Sequence, residues 1–264
     1  MPDIRMKYSQ FSLAFASVWV LLGTLILVTS CPAQEKQQKA VEIINAAIAA
    51  SGINPSAPFP SFQAFGQITY NWDSSGVPGT ATISSIDNTK FRLDSTLDSG
   101  TQTFIVNGHD SILRPVYGSP VRIPPRDAAL TKNPLLPIVE LALWLNDGLA
   151  SVSYLDTVSY GSGLANRILV QKTFDVDSDK TPAAKIYCID QATSMVVEVD
   201  ELFSVEDGGL SKITRRLTYS NYVKTSGLLM PGAITEFVGG QNTWTLQIGS
   251  YAIPASVSPS LFNF

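Results

Sequence analysis

From residue 64 the chain alternates: Gly66, Ile68, Tyr70 and Trp72 are spaced by Gln67, Thr69 and Asn71. A period of two is that of an extended strand, whose successive side chains leave on opposite faces. The pattern recurs through Thr80–Ile86, Lys90–Leu97 and Thr101–Val106, with Asp-Asn, Asp-Ser-Gly and Asn-Gly turns between segments. It resumes in Ser151–Tyr160, Asn166–Phe174, Lys185–Asp190, Met195–Phe203, Lys212–Tyr222, Ala233–Val238 and Thr243–Ile248. Short alternating segments separated by turn residues predict antiparallel meanders, because only hairpin-type connections are that brief.

Two segments break the rhythm. Over Glu35–Ser51, Val41, Ile44 and Ile48 fall on one helical face with Ala40 and Ala47 beside them, and Gly52 is a suitable stop. Residues 54–62 hold Pro55, Pro58 and Pro60, which remove donors and bar a helix, so this stretch reads as a linker into the strands. Leu135–Asn146 places Leu136, Val139, Leu143 and Trp144 on one face of a second helix, with Pro134 and Pro137 near its first turn. Helix, meander, helix, meander predicts one α+β domain over residues 32–264. The 45% of hydrophobic residues against 15% charged is ample for a sizeable core. A net charge of −4 gives no electrostatic reason to bind nucleic acid.

Residues 1–31 read as a signal segment. Arg5 and Lys7 give a positive start, an apolar run follows from Phe11 to Val28, and a small-residue region ends at Cys31. Val28-Thr29-Ser30-Cys31 has the form of a bacterial lipobox, which makes Cys31 the candidate lipidation site. Cleavage after Ala33 and a retained membrane helix are the alternatives. A lipid on Cys31 would hold the protein to a membrane. The remaining cysteine, Cys188, sits in a strand-like run and reads as a small core residue.

Patterns that would carry catalysis are not assembled. The chain has one histidine, His109, placed in an Asn-Gly turn, and no Gly-x-Ser-x-Gly elbow accompanies it. Asp175-Val-Asp177-Ser-Asp179 opens like a calcium loop, but Lys180 stands where glycine is needed and Ile186 where the closing glutamate belongs. Gly161-Ser-Gly163 lacks the third glycine of a dinucleotide loop. Asp200-Glu201 is too ordinary a pair to signal acid–base work. Arg215-Arg216 in a strand puts one guanidinium on each face, either for cross-strand salt bridges or, for the inward one, to meet an anionic head group. No enzyme, metal or cofactor is expected.

What remains is a surplus of apolar strand residues. Ile68, Tyr70, Trp72, Phe91, Leu93, Phe104 and Val106 share one concave face if neighbouring registers turn both sets inward, and a one-residue slip would send a set outward. With Trp144 from the second helix they form either a packed core or a partly filled, ligand-lining face that accepts a lipid chain.

The order of elements resembles the LolA/LolB-like family of periplasmic lipoprotein- and lipid-binding proteins. The resemblance covers most of residues 36–264. It rests on Asn45-Ala-Ala-Ile-Ala-Ala-Ser-Gly52 closing the first helix, on Tyr187-Cys-Ile-Asp190 followed by Thr193-Ser-Met195, and on Tyr219-Ser-Asn-Tyr222 through Gly227-Leu-Leu-Met-Pro231. It implies a strongly curved antiparallel sheet, an unclosed β-barrel, with helices covering the concave face. It also implies a non-catalytic carrier or receptor on the periplasmic side of a Gram-negative-type cell envelope, outer-membrane anchored if Cys31 is lipidated. The expected partner is an acyl chain or a lipidated protein. The alternative is an envelope sensor or assembly factor of the same fold with a protein partner.

Overall fold

The computed structural model describes residues 32–71, 75–123, 133–147, 150–176, 179–204 and 212–264. The signal segment with Cys31, and Trp72, lie outside the described residues. Helix α1 (Pro32–Ser51) comes first. Its residues 33–39 are exposed, whereas Ala40, Ile44, Ala47 and Ile48 are buried, so the helix packs through the C-terminal part of the stripe read from the sequence. Gly52 ends it at φ +75, and a Cβ there would stand 2.3 Å from the Gly227 carbonyl oxygen. Only glycine allows the chain around residue 227 to close against the end of α1.

A first meander follows: β1 (Phe62–Tyr70), β2 (Val77–Ile86), β3 (Lys90–Leu97), β4 (Gly100–Asn107), β5 (Asp110–Arg114) and β6 (Val121–Ile123). Helix α2 (Pro137–Leu145) comes next. The second meander holds β7 (Ala150–Tyr160), β8 (Gly163–Val176), β9 (Asp179–Asp190), β10 (Val196–Ser204), β11 (Lys212–Ser220), β14 (Ala233–Val238) and β15 (Gln241–Ala252). A small separate hairpin, β12 (Val223–Thr225) and β13 (Leu228–Met230), interrupts it.

The last strand returns to the first. β15 pairs with β1, so the two meanders join into one antiparallel sheet of 13 strands in the order β6-β5-β4-β3-β2-β1-β15-β14-β11-β10-β9-β8-β7. The terminal strands β6 and β7 do not pair with each other, so the barrel stays unclosed. Register shifts at Phe65/Gly66, Tyr154/Asp156, Val196/Glu198 and Glu236/Phe237 are bulges, which add twist and bend a wide sheet. Both helices and residues from nearly every strand belong to one buried cluster on the concave face. The chain leaves one edge at β6 and enters the other at β7, and α2 lies on that connection across the concavity.

A smaller core lies on the convex face. Ile105 and Ile112 pack there under Phe262, which a short 3-10 turn (Pro259–Phe262) delivers. Arg92 donates to the Leu261 carbonyl at 2.9 Å, which holds the tail down. Lys90–Leu97 and Ala233–Val238 have the bounds read from the sequence. The strands β5, β6, β12 and β13 are additions to that reading, β1 already begins at Phe62 inside the expected linker, and α1 begins earlier, at Pro32. No helix among the described residues is long and apolar enough to cross a membrane.

Candidate functional site

Helix α2 presents two faces to two environments. Glu140 and Trp144 point into the barrel and are buried. Val139, Ala142 and Leu143 border an open cleft; Val139 and Ala142 are themselves part of the buried core, and Leu143 is 50% exposed.

The inward face ends in charge. Lys185 Nζ on β9 lies 2.9 Å from Glu140 and 2.6 Å from Glu201 of β10. Arg215 on β11 donates to Glu201 at 3.0 Å and to Glu236 of β14 at 2.6 Å. Three carboxylates face two cations, and hydroxyls take up the excess acceptors: Tyr187 donates to Glu140 at 2.9 Å and Thr243 to Glu236 at 2.5 Å. Burial opposes charging at Glu201, but Lys185 and Arg215 outweigh it and hold the carboxyl below its ordinary range. Burial likewise opposes the charge on Lys185, and Glu140 and Glu201 raise it nonetheless. The Tyr187 hydroxyl is pushed well up, by burial first and by Glu140 second.

Clustered, perturbed groups suggest reactivity, but access decides otherwise. The side chains of Lys185 and Glu201 are 2% and 3% exposed. The void beside them is about 10 Å³, room for no more than about one water. No substrate fits, and the layer acts as a lock between α2 and the sheet. Arg215-Arg216 thus resolves into salt bridges on both faces: Arg215 is spent inside, and Arg216 pairs with Asp200 outside at 2.7 Å. Glu201, read as an ordinary strand-end carboxylate, is the centre of the buried layer.

The outward face of α2 borders a cleft of about 440 Å³. Its other walls are the proline-rich segment after α1, the β2–β3 turn, the β12–β13 turn and Ile253-Pro254 at the end of β15. The lining is mostly apolar, including Ile53, Phe59, Leu143 and Leu228. Volume and character match small-molecule sites, which run roughly from 300 to 1,000 Å³. Phe59 stands edge-on to the fully buried Phe62, with ring centroids 6.1 Å apart, and so links the cleft to the concave core.

Of the residues expected on the concave face, all but Trp72, which lies outside the described residues, do lie together. Ile68 pairs with Gly79, Ile83 with Leu93, Phe91 with Val106 and Leu93 with Phe104, which turns both sets to the same side. Ile68, Tyr70, Phe91, Val106 and Trp144 are buried, and Leu93 and Phe104 pack against them half-buried. The Tyr70 hydroxyl is satisfied by Ser95 at 2.9 Å and Gln102 at 3.2 Å. None of the described members of this set lines the cleft. The helical period marked Val139 and Leu143 but set them on one face with Leu136 and Trp144; the structure divides that stripe, with Trp144 turned inward and Leu143 half-exposed at the cleft. The other cleft residues, apart from Ala142, come from loops and the ends of elements, where no period marks them.

His109 is exposed in the β4–β5 turn, and no group of three or more potential metal ligands occurs among the described residues. Cys188 is buried, and its thiol is pushed up to about 12, by burial first and then by Glu198.

No family model matches the sequence, and a sequence comparison with curated proteins finds no match. Solved structures do match. A domain from Vibrio parahaemolyticus described as an outer membrane lipoprotein-sorting protein aligns with a TM-score of 0.57 at 11% identity, over 86% of this chain and 97% of that one. A LolA superfamily protein from Nitrosomonas europaea aligns with a TM-score of 0.52 at 14% identity, over 89% of this chain and 99% of that one. With its unclosed antiparallel barrel and its helix-covered concave face, this chain has the LolA/LolB-like fold.

Proposed function

We propose that this protein is a non-catalytic carrier or receptor of the cell envelope that holds an acyl chain, free or attached to a protein, in the cleft beside α2. The observation that carries this reading is the apolar cleft of about 440 Å³ at the rim of the concave core. Burying a chain there would contribute about 25 cal/mol per Å² of apolar surface without any specific polar contact. The described residues that line the cleft include no His, Cys, Lys or Arg. The likeness in fold to a lipoprotein-sorting domain points the same way. A longer chain would run past Phe59 towards Phe62 and Phe91, which keeps Ile68, Tyr70, Phe91, Leu93, Phe104, Val106 and Trp144 as the proposed extension of the site.

We place Cys31 as the lipid anchor. Pro32 opens α1, whose 20 residues span about 30 Å, so the anchor would sit at the far end of that helix from the cleft. Intact-mass analysis of membrane-extracted protein should find an acylated N-terminus at Cys31. A mature chain starting at Gln34 without acyl mass rules the anchor out.

The binding test is titration of an acyl-chain fluorophore into the mature protein, with mass spectrometry of co-purified lipid. Saturable binding that weakens in Leu143→Asp supports the reading, and absence of binding by the wild type ends it. A protein partner is the second reading. It is favoured by the packed state of the concave core and by Tyr117, Val121 and Phe264, which are 76%, 55% and 42% exposed at or near the β6 edge. Lipid-free protein that binds no acyl probe would favour it.

A further inference from the structure

The cleft is mostly apolar, and its polar groups concentrate in the β2–β3 turn, which has a sign. Of the described side chains that line it, one is charged: Asp87, in the β2–β3 turn. Asn88 and Thr89 follow it in the same turn and also face the cleft, while Asn54 and Ser226 are the remaining polar lining residues. Among the described residues, an anionic head group would therefore meet the Asp87 carboxylate and no cation. A cationic head bearing N–H donors would meet an opposite charge and several acceptors.

The turn is built to hold these acceptors in place. Asp87 sits at φ 46, and one of its carboxylate oxygens accepts the Thr89 backbone N–H at 2.6 Å. Beneath it the Ser85 hydroxyl lies 3.0 Å from the carbonyl oxygens of Asp87 and Lys90, and accepts from Asn133 at 3.0 Å. The Asn88 side-chain oxygen is shielded from solvent and has no hydrogen-bond partner. A buried acceptor left unpaired is unfavourable, and the terminal torsion of an Asn turns easily, so a donor arriving in the cleft would relieve it.

The geometry points to a single-chain amphiphile with a protonated amine head as the ligand class of this cleft: the chain lies along Phe59, Leu143 and Leu228, and the ammonium lies at Asp87 and Asn88. This rests on the cleft reading above and adds the identity of the head group.

The test compares two probes of equal chain length, dodecylammonium and dodecanoate, below their micelle concentrations, in displacing the acyl fluorophore from the mature protein. Dodecylammonium should displace it at about tenfold lower concentration, the scale of one charge-assisted contact. Asp87→Asn should bring the two probes within about threefold of each other. Asn is well tolerated at positive φ and keeps the oxygen that accepts from Thr89, so the turn should still form. Asn88→Leu should weaken dodecylammonium and leave dodecanoate unchanged. Equal displacement by both probes, or a preference for dodecanoate, overturns the head-group assignment while the acyl cleft stands. Failure of both probes and of the fluorophore overturns the cleft reading itself, and this inference with it.

Discussion

The layer beneath α2 and the cleft beside it share a helix and differ in every other respect. Beneath α2, Glu140 meets Lys185 in a layer that continues through Glu201 and Arg215 to Glu236, with its central side chains 2–3% exposed. Beside α2, the half-exposed Leu143, with the buried Val139 and Ala142 behind it, borders an open, apolar space. In most proteins a cluster of buried, perturbed charges marks the site and apolar surface marks the core. Here the charges are fully committed to one another and the unfilled apolar surface is what can still bind. Satisfaction of partners, more than polarity, separates the structural region from the available one.

The comparison breaks first at Glu201. Removing it leaves Lys185 and Arg215 buried with one carboxylate each, and losing one partner of such a network typically costs about 3–5 kcal/mol. Glu201→Ala should lower the chemical-unfolding midpoint accordingly, with acyl-probe binding by the folded fraction intact. A loss below about 1 kcal/mol, the range of exposed pairs, would show the layer to be no lock.

Acid should find the same weak point. The folded carboxyl of Glu201 lies below its ordinary value, so the unfolded chain binds the proton more readily. Stability from this group is full above the unfolded value of about 4.3 and is lost as pH falls through the folded one. Thermal unfolding followed from pH 6 downward should show this decline, and Glu201→Gln should flatten it. An unchanged slope in the variant assigns acid sensitivity elsewhere.

Asp200 sharpens the contrast, since it adjoins Glu201 in sequence and faces the other way. Its partner Arg216 is 47% exposed, so Asp200→Ala should cost no more than about 1 kcal/mol in the same assay. Leu143→Asp should have the smallest effect on folding, about 0.5 kcal/mol or less for a half-exposed surface position, yet reduce fluorophore affinity. If it unfolds the protein instead, the outward face of α2 belongs to the core and the cleft loses its standing.

The fold was legible where side chains obey a local period. Lys90–Leu97 alternates cleanly and its bounds agree with β3. Ala40, Ile44, Ala47 and Ile48 mark the buried stripe of α1 before any contact is known. Val121–Ile123 and Val223–Thr225 are three residues each, too short for a period to register. The concave set was readable as a condition, and the pairing of Ile83 with Leu93 and of Phe91 with Val106 met it.

Sequence by itself determined which segments extend and which coil, because alternation and helical stripes are written into neighbours a few residues apart. It also determined that a charged pair such as Arg215-Arg216 must straddle a strand. Tertiary structure alone decided that Glu140, Lys185, Glu201, Arg215 and Glu236 share one buried layer, since one helix and four strands contribute them and only sheet register brings them within 3 Å or so. It alone decided where the cleft opens. Apart from α2, that space is bounded by loops whose residues carry no period, and a void is set by what fails to pack there, which no stretch of sequence encodes locally.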